Sequence, residues 1–231
     1  MIDVVPLAAL MLAGCNPGLR VGELRTESQS VEAGDAEAVR VEIQFGAGEL
    51  KVGGGAPGLL EADFTYNVDA LKPEVEYAGN TLIVGQPDGE GFPAVQGIGD
   101  FRNEWDLRLG DGMPMDLRVN IGAGNSDLRL AGLPLTGLHI AQGAGISTID
   151  LSGDWASDLD ATIETGAGDV TVRLPSGIGV RVEVETGPTA ISAVGLAQDG
   201  NVYTNAAYGV SGVTLRIDMQ AGVGVITLLQ E

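Results

Sequence analysis

Residues 115–174 read MDLRVNIGAGNSDLRLAGLPLTGLHIAQGAGISTIDLSGDWASDLDATIETGAGDVTVRL. Three times in this stretch a Gly-Ala-Gly triplet separates two runs in which apolar and polar residues alternate: Gly122-Ala123-Gly124, Gly143-Ala144-Gly145 and Gly166-Ala167-Gly168. A period of two marks a strand with one buried and one wet face. Working outward, related units stand at Gly46-Ala47-Gly48, Gly187-Pro188-Thr189 and Gly222-Val223-Gly224. From Gly122 onward the steps between units are 21, 23, 21 and 35 residues. A repeat near twenty residues is the length of one coil of a solenoid, in which each coil buries its apolar face against its neighbours.

Aligned on the first glycine of each unit, the positions three residues upstream are Ile43, Val119, Ile140, Ile163, Val184 and Met219, and those six residues downstream are Val52, Leu128, Ile149, Val172, Ala193 and Leu228. Each coil is therefore expected to be a strand, a glycine corner, a second strand and a longer turn. Equivalent strands would run parallel about 4.8 Å apart, stacking equivalent side chains in columns. Glycine suits a corner whose backbone enters positive φ, where a Cβ would clash. In the outward columns Arg129, Asp150 and Arg173 alternate in sign, and Asp160 is expected beside Arg181. Residues 53–110 leave the repeat for longer alternating runs, around Leu60–Val68 and Trp105–Leu109, with a Gly- and Pro-rich loop expected over 85–101. The reading is an all-β chain, a flattened parallel β-solenoid of about six coils with an N-terminal β-meander cap; residues 39–110 form the first coil and cap, and 111–231 the solenoid repeats. The 35-residue interval marks 196–212 as an insertion.

The 231 residues carry a net charge of −20, with 44% hydrophobic residues and 36 glycines. That apolar content, regularly patterned, excludes a disordered glycine-rich tract. The charge excludes nucleic acid and anionic lipid headgroups as partners, since both would be repelled. Val4–Gly14 is a short apolar stretch ending Leu12-Ala13-Gly14-Cys15. It is too short to span a bilayer and has the form of a signal-peptide core with a lipoprotein cleavage site, predicting a signal over 1–15 and lipidation of Cys15. A signal normally opens on a basic residue, whereas Met1-Ile2-Asp3 does not, which places the translation start further upstream. Residues 16–38 are polar and without period, and read as a tether between lipid and folded body. The lone cysteine can make no internal disulfide.

Catalytic chemistry finds little support. His139, the single histidine, points outward between Arg118 and Thr162 with no nucleophile placed to use it. No Gly-x-Ser-x-Gly, His-Glu-x-x-His or Cys-x-x-Cys occurs, so neither enzyme nor cofactor is expected. Glu164, Glu183, Glu185 and Asp218 are expected outward on three adjacent coils, a weak candidate for Ca²⁺ set against an acidic face solvated and relieved by Arg181 and Arg216. Asp127, Thr148, Thr171, Ser192 and Thr227 share a column reminiscent of ice-binding faces, but the neighbouring column is too charged and uneven for a flat lattice. Tyr203 and Tyr208 in the insertion are candidate ligand contacts, with inward packing as the alternative.

The run Val39-Arg-Val-Glu-Ile-Gln-Phe-Gly-Ala-Gly-Glu-Leu-Lys-Val52, then Leu59-Leu60, Phe64-Thr-Tyr-Asn67, Asn103-Glu-Trp-Asp-Leu107, Pro114-Met-Asp-Leu117, Leu174-Pro175 and Asn205-Ala-Ala-Tyr208, resembles the bacterial toast-rack family over residues 26–231. The resemblance implies an envelope-exposed β-solenoid akin to the C-terminal domains of LiaF-like stress-response proteins and to adhesin-like proteins, without an established activity. The expected function is a non-catalytic, lipid-anchored module on the extracytoplasmic side of the bacterial envelope, binding another envelope protein or a surface glycan or acting as a spacer. The alternative is a regulatory partner in cell-envelope stress signalling.

Overall fold

The computed structural model describes residues 19–86, 95–96 and 101–231. In chain order the first strands are β1 (Leu19–Arg20), β2 (Arg25–Val31), β3 (Val39–Ala56), β4 (Leu60–Tyr66), β5 (Glu74–Ala78), β6 (Thr81–Gly85), β7 (Val95–Gln96) and β8 (Asn103–Gly110). There follow β9 (Met115–Arg129), β10 (Leu135–Asp150), β11 (Leu159–Leu174), β12 (Gly179–Thr186), β13 (Thr189–Val194), β14 (Ala197–Asp199), β15 (Val202–Thr204) and β16 (Thr214–Gln230). A 3-10 turn lies at Asp69–Leu71.

The repeat is carried by β3, β9, β10, β11 and β16, each one long strand bent at its glycine corner, and by β12 with β13, where the strand is broken at the corner. All neighbours among these pair parallel, in the register of the glycine alignment: Ile149 stands between Leu128 and Val172, and Gly145 between Gly124 and Gly168. The columns form the core. Leu128, Ile149, Val172 and Leu228 are fully buried, as are Ile43, Val119, Leu117 and Ile217.

The spatial order of the coils departs from the chain order. β16 lies between β11 and β12, so the sequence runs β12/β13, β16, β11, β10, β9, β3 across the sheet. Asp160 consequently faces Arg216 rather than Arg181. The ion pairs also differ from the simple alternating column: Arg129 pairs with Asp127 at 2.6 Å, Arg173 with Glu231 at 2.8 Å, and Arg216 with Asp158 at 3.2 Å and Asp160 at 3.6 Å. A long exposed guanidinium reaches the nearest available carboxylate, and such contacts contribute little singly.

The glycine corners are set by stacking as well as by φ. Gly124, Gly145, Gly168 and Gly224 have φ of 128, 131, 136 and 152°. A Cβ on any of them would lie 2.0, 1.9, 1.8 or 1.7 Å from the carbonyl oxygen of the glycine one coil before. No side chain fits such a gap, so the third position of the unit is a continuous file of glycines. Asn103 seals the file at its N-terminal end: its carbonyl covers Gly48, and its Nδ2 donates to the Ala47 carbonyl at 2.6 Å. The unit that lacks the second glycine, with Thr189 in its place, is the one whose strand breaks, between β12 and β13.

The cap has two parts. Against the second half of β3 lies β8, parallel, followed by β4 and β2, each antiparallel to its predecessor; against the first half lies β6, parallel, followed by antiparallel β5. Residues 25–31, inside the segment read as a tether, thus form β2. Trp105 anchors the cap, edge-on to Phe45 and Phe64 at centroid distances of 5.1 and 5.3 Å, with its indole N–H donating to Asn103 Oδ1 at 3.0 Å. The expected loop over 85–101 falls largely outside the described residues, with Val95–Gln96 pairing β1. Beneath the corners, inward positions of β9 and β10 hold polar side chains. Ser126 and Ser147 hydroxyls lie 2.6 Å apart, Ser147 also donates to Gln142 Oε1, and Gln142 Nε2 donates to the Gly124 carbonyl at 3.4 Å, so this buried group satisfies itself.

Candidate functional site

The solenoid presents one outer face after each glycine corner, and its chemistry changes along the stack. On β9 the outward side chains are Asn125, Asp127 and Arg129; on β10 Ile146, Thr148 and Asp150; on β11 Asp169, Thr171 and Arg173. On β16 they become Val225, Thr227 and Leu229, and on β13 Ala190, Ser192 and Val194. The last two coils therefore carry no charge on this face, in a chain of net charge −20. Val194, Val223 and Val225 are 55%, 58% and 40% exposed. Contiguous exposed apolar side chains on a soluble domain mark an interaction surface more often than scattered ones do.

The same end of the stack is incompletely covered. β12 is covered by β15, antiparallel through Val182 and Tyr203, and β15 by β14. β13 pairs with β16 alone among the described residues. Ile191 and Ala193 of β13 continue core columns that are shut elsewhere, at Val170 and Ile226 and at Val172 and Leu228, yet both are only half-buried. The core is open there.

The insertion expected over 196–212 supplies β14 and β15. Asn205 ties it down: its Oδ1 accepts from the Val180 N–H at 2.9 Å, and its Nδ2 donates to the carbonyls of Ile178 at 2.7 Å and Pro175 at 3.3 Å. Of the two tyrosines offered as ligand contacts, Tyr203 is buried, because β15 extends the alternation of β12 inward, whereas Tyr208 is 40% exposed. The sequence signals Asn205 as a working residue only through its place in Asn205-Ala-Ala-Tyr208, just after the strand that closes β12.

The acidic candidates are spread by the intervening β16. Glu164 and Glu185 each face Gln220 from opposite sides, and Asp218 stands between Thr162 and Glu183. Among the described residues no group of three or more His, Cys, Asp or Glu side chains could hold a metal ion. Glu183 is engaged by Arg181 at 2.7 Å, which holds its carboxyl below the usual range. Asp158 is likewise lowered, first by the Thr214 N–H at 2.9 Å and then by Arg216. His139 stands between Arg118 and Thr162 as the alternation predicts. The column of hydroxyls runs Asp127, Thr148, Thr171, Thr227, Ser192 in space. Cys15 lies outside the described residues. A recess of 210 Å³ near the start of β3 is lined by Arg40, Asn80, Thr81, Asp116 and Thr136, with Arg40 and Asp116 paired across it at 3.7 Å.

Residues 20–173 match the family model for the N-terminal domain of toast_rack, DUF2154. This chain belongs to the toast-rack family. A crystal structure of a candidate cell adhesion protein from Clostridium sporogenes is 30% identical to the toast-rack chain, covering 90% of it and 100% of that protein, with a TM-score of 0.86. A candidate adhesin from Bacteroides fragilis matches at 14% identity over 92% of this chain and 100% of its own, but with a TM-score of 0.36, and supports nothing further. No protein of curated function matches the chain. The fold expectation holds: the toast-rack chain is all-β, with the glycine-cornered coils in the predicted register.

Proposed function

We propose that this toast-rack protein is a non-catalytic binding module of the bacterial cell envelope, held by a lipid on Cys15, whose solenoid serves as a rigid adhesin-like body or spacer for another envelope protein or a surface glycan. One observation carries the reading: the likeness, along the entire length of the matched structure, to the candidate cell adhesion protein of Clostridium sporogenes. The uncharged outer face of β13 and β16 supports a binding role, because it gives a polyanionic body one place where a partner meets no like-charge field.

Crosslinking in intact membranes followed by purification of the protein tests this. Retention of glycan or of a surface protein is the expected result. A sensor kinase as the main crosslinked partner would replace this reading by the regulatory one. Cys15→Ala should release the protein from the membrane fraction, and a variant that stays bound as firmly as the parent removes the lipid anchor from the proposal.

A further inference from the structure

We propose that the bare edge of β13 pairs with the β13 of a second copy, joining two solenoids antiparallel about a two-fold axis through Ser192. The proposal stands independently of the binding function above. Exposed strand edges invite pairing, and soluble proteins protect them with charges, short strands or cover. The other edges here follow that rule: β2 carries Arg25 and Glu27, β5 carries Glu74 and Glu76, and β14 carries Asp199. β13, Thr189-Ala-Ile-Ser-Ala-Val194, carries no charged residue and has no strand on its outer side among the described residues.

The occupant follows from the order of side-chain sizes in β13. Pairing centred on Ser192 sets Ile191 against the partner's Ala193, both on the inward face, and Ala190 against the partner's Val194, both on the outward face. A large residue meets a small one on either side of the axis, Ser192 meets its own copy on it, and the two-fold repeats each match. The half-open columns at Ile191 and Ala193 would then be closed by the same columns of the other copy. On the outer face the two uncharged patches, Val194 with Val225 and Leu229 behind it, would become one continuous strip.

Charge decides how strong this contact is. Two bodies of −20 repel each other, but the groups at the seam are neutral, so the opposition is long-range and screened by salt. A six-residue edge spans about 20 Å, and an interface of that length falls well short of the roughly 1,200 Å² of a stable complex. The dimer is therefore weak and reversible, and it strengthens as salt is raised.

Sedimentation velocity of the full chain from about 5 to about 500 µM should show a monomer giving way to a dimer, shifted to lower concentration in about 0.5 M salt. Ser192→Lys, at an outward exposed position, should weaken association at least about tenfold by setting two ammonium groups together at the axis, with the melting temperature unchanged. Thr148→Lys, in the same column on an inner coil, should leave association intact. Hydrogen exchange supplies the local readout: the amides of 189–194 should gain protection with concentration in the parent and in Thr148→Lys, and not in Ser192→Lys. A monomer at every concentration and salt overturns the proposal, as does a dimer that Ser192→Lys leaves unaltered or whose protection lies elsewhere.

Discussion

Gly168→Ala isolates what the glycine file contributes. The residue has φ of 136°, a region an L side chain enters at a cost of about 1–3 kcal/mol. Its Cβ would also lie 1.8 Å from the Gly145 carbonyl oxygen, nearly half the normal contact distance. The two coils must part, and forced overpacking of this kind costs about 1–3 kcal/mol more. The sum, about 2–6 kcal/mol, is a large share of the roughly 5–15 kcal/mol that holds a domain together. Gly132→Ala is the control, because Gly132 also has a positive φ, 81° and so less demanding than that of Gly168, but nothing within 4 Å of the added Cβ. It should lose only the backbone contribution, about 1 kcal/mol. Urea unfolding of both variants measures the difference, as a fall in midpoint at constant slope. Equal losses in the two would refute the stacking argument and leave φ alone as the reason for these glycines.

Trp105→Ala should cost about 3–5 kcal/mol, since it empties a fully buried site between Phe45 and Phe64 and removes the indole donor from Asn103; a loss under about 1 kcal/mol by the same urea assay would show that the cap repacks freely. Acid should destabilise the fold through Glu27, Asp158 and Glu183, whose carboxyls are held below their usual range in the folded state, chiefly by the Tyr66 hydroxyl, the Thr214 N–H and Arg181 respectively. The unfolded chain binds protons more readily at these groups, so their contribution is complete above the ordinary carboxylate range and disappears as pH falls through the lowered values. Melting temperature followed from pH 7 down to about 3 should decline, and the triple variant Glu27→Gln, Asp158→Asn, Glu183→Gln should decline less steeply than the parent.

The register of the coils was readable because an alternating strand has one inward face and a fixed glycine offset; Leu128, Ile149 and Val172 had no other way to align. The order of the coils was hidden by the same uniformity. Val184, Met219 and Ile163 are interchangeable in a column of aliphatics, so nothing in the inward pattern says that β16 and not β12 follows β11. A cue does exist in the corner. Thr189 cannot adopt the positive φ of the file and its strand breaks at the corner, whereas the unit with Gly222 and Gly224 continues the file unbroken from β11. The paired serines under the corner were illegible for a different reason: Ser126 lies on β9 while Ser147 and Gln142 lie five residues apart on β10, and the three make sense only together. The proposed binding face is half legible. Val194 and Leu229 are uncharged members of a charged column, but their continuity with an open edge depends on which coil is last.

The placement of β16 bears on how the chain can be made. A ribosome delivers β12 and β13 before β16, yet neither has a parallel neighbour to dock on until β16 has filled the gap beside β11. The growing chain cannot lengthen its sheet one winding at a time, and Val180, Val182 and Val184 must wait in water while about thirty further residues are synthesised. Chaperone capture of the nascent chain, and the slow phase of refolding in vitro, should both centre on this waiting segment.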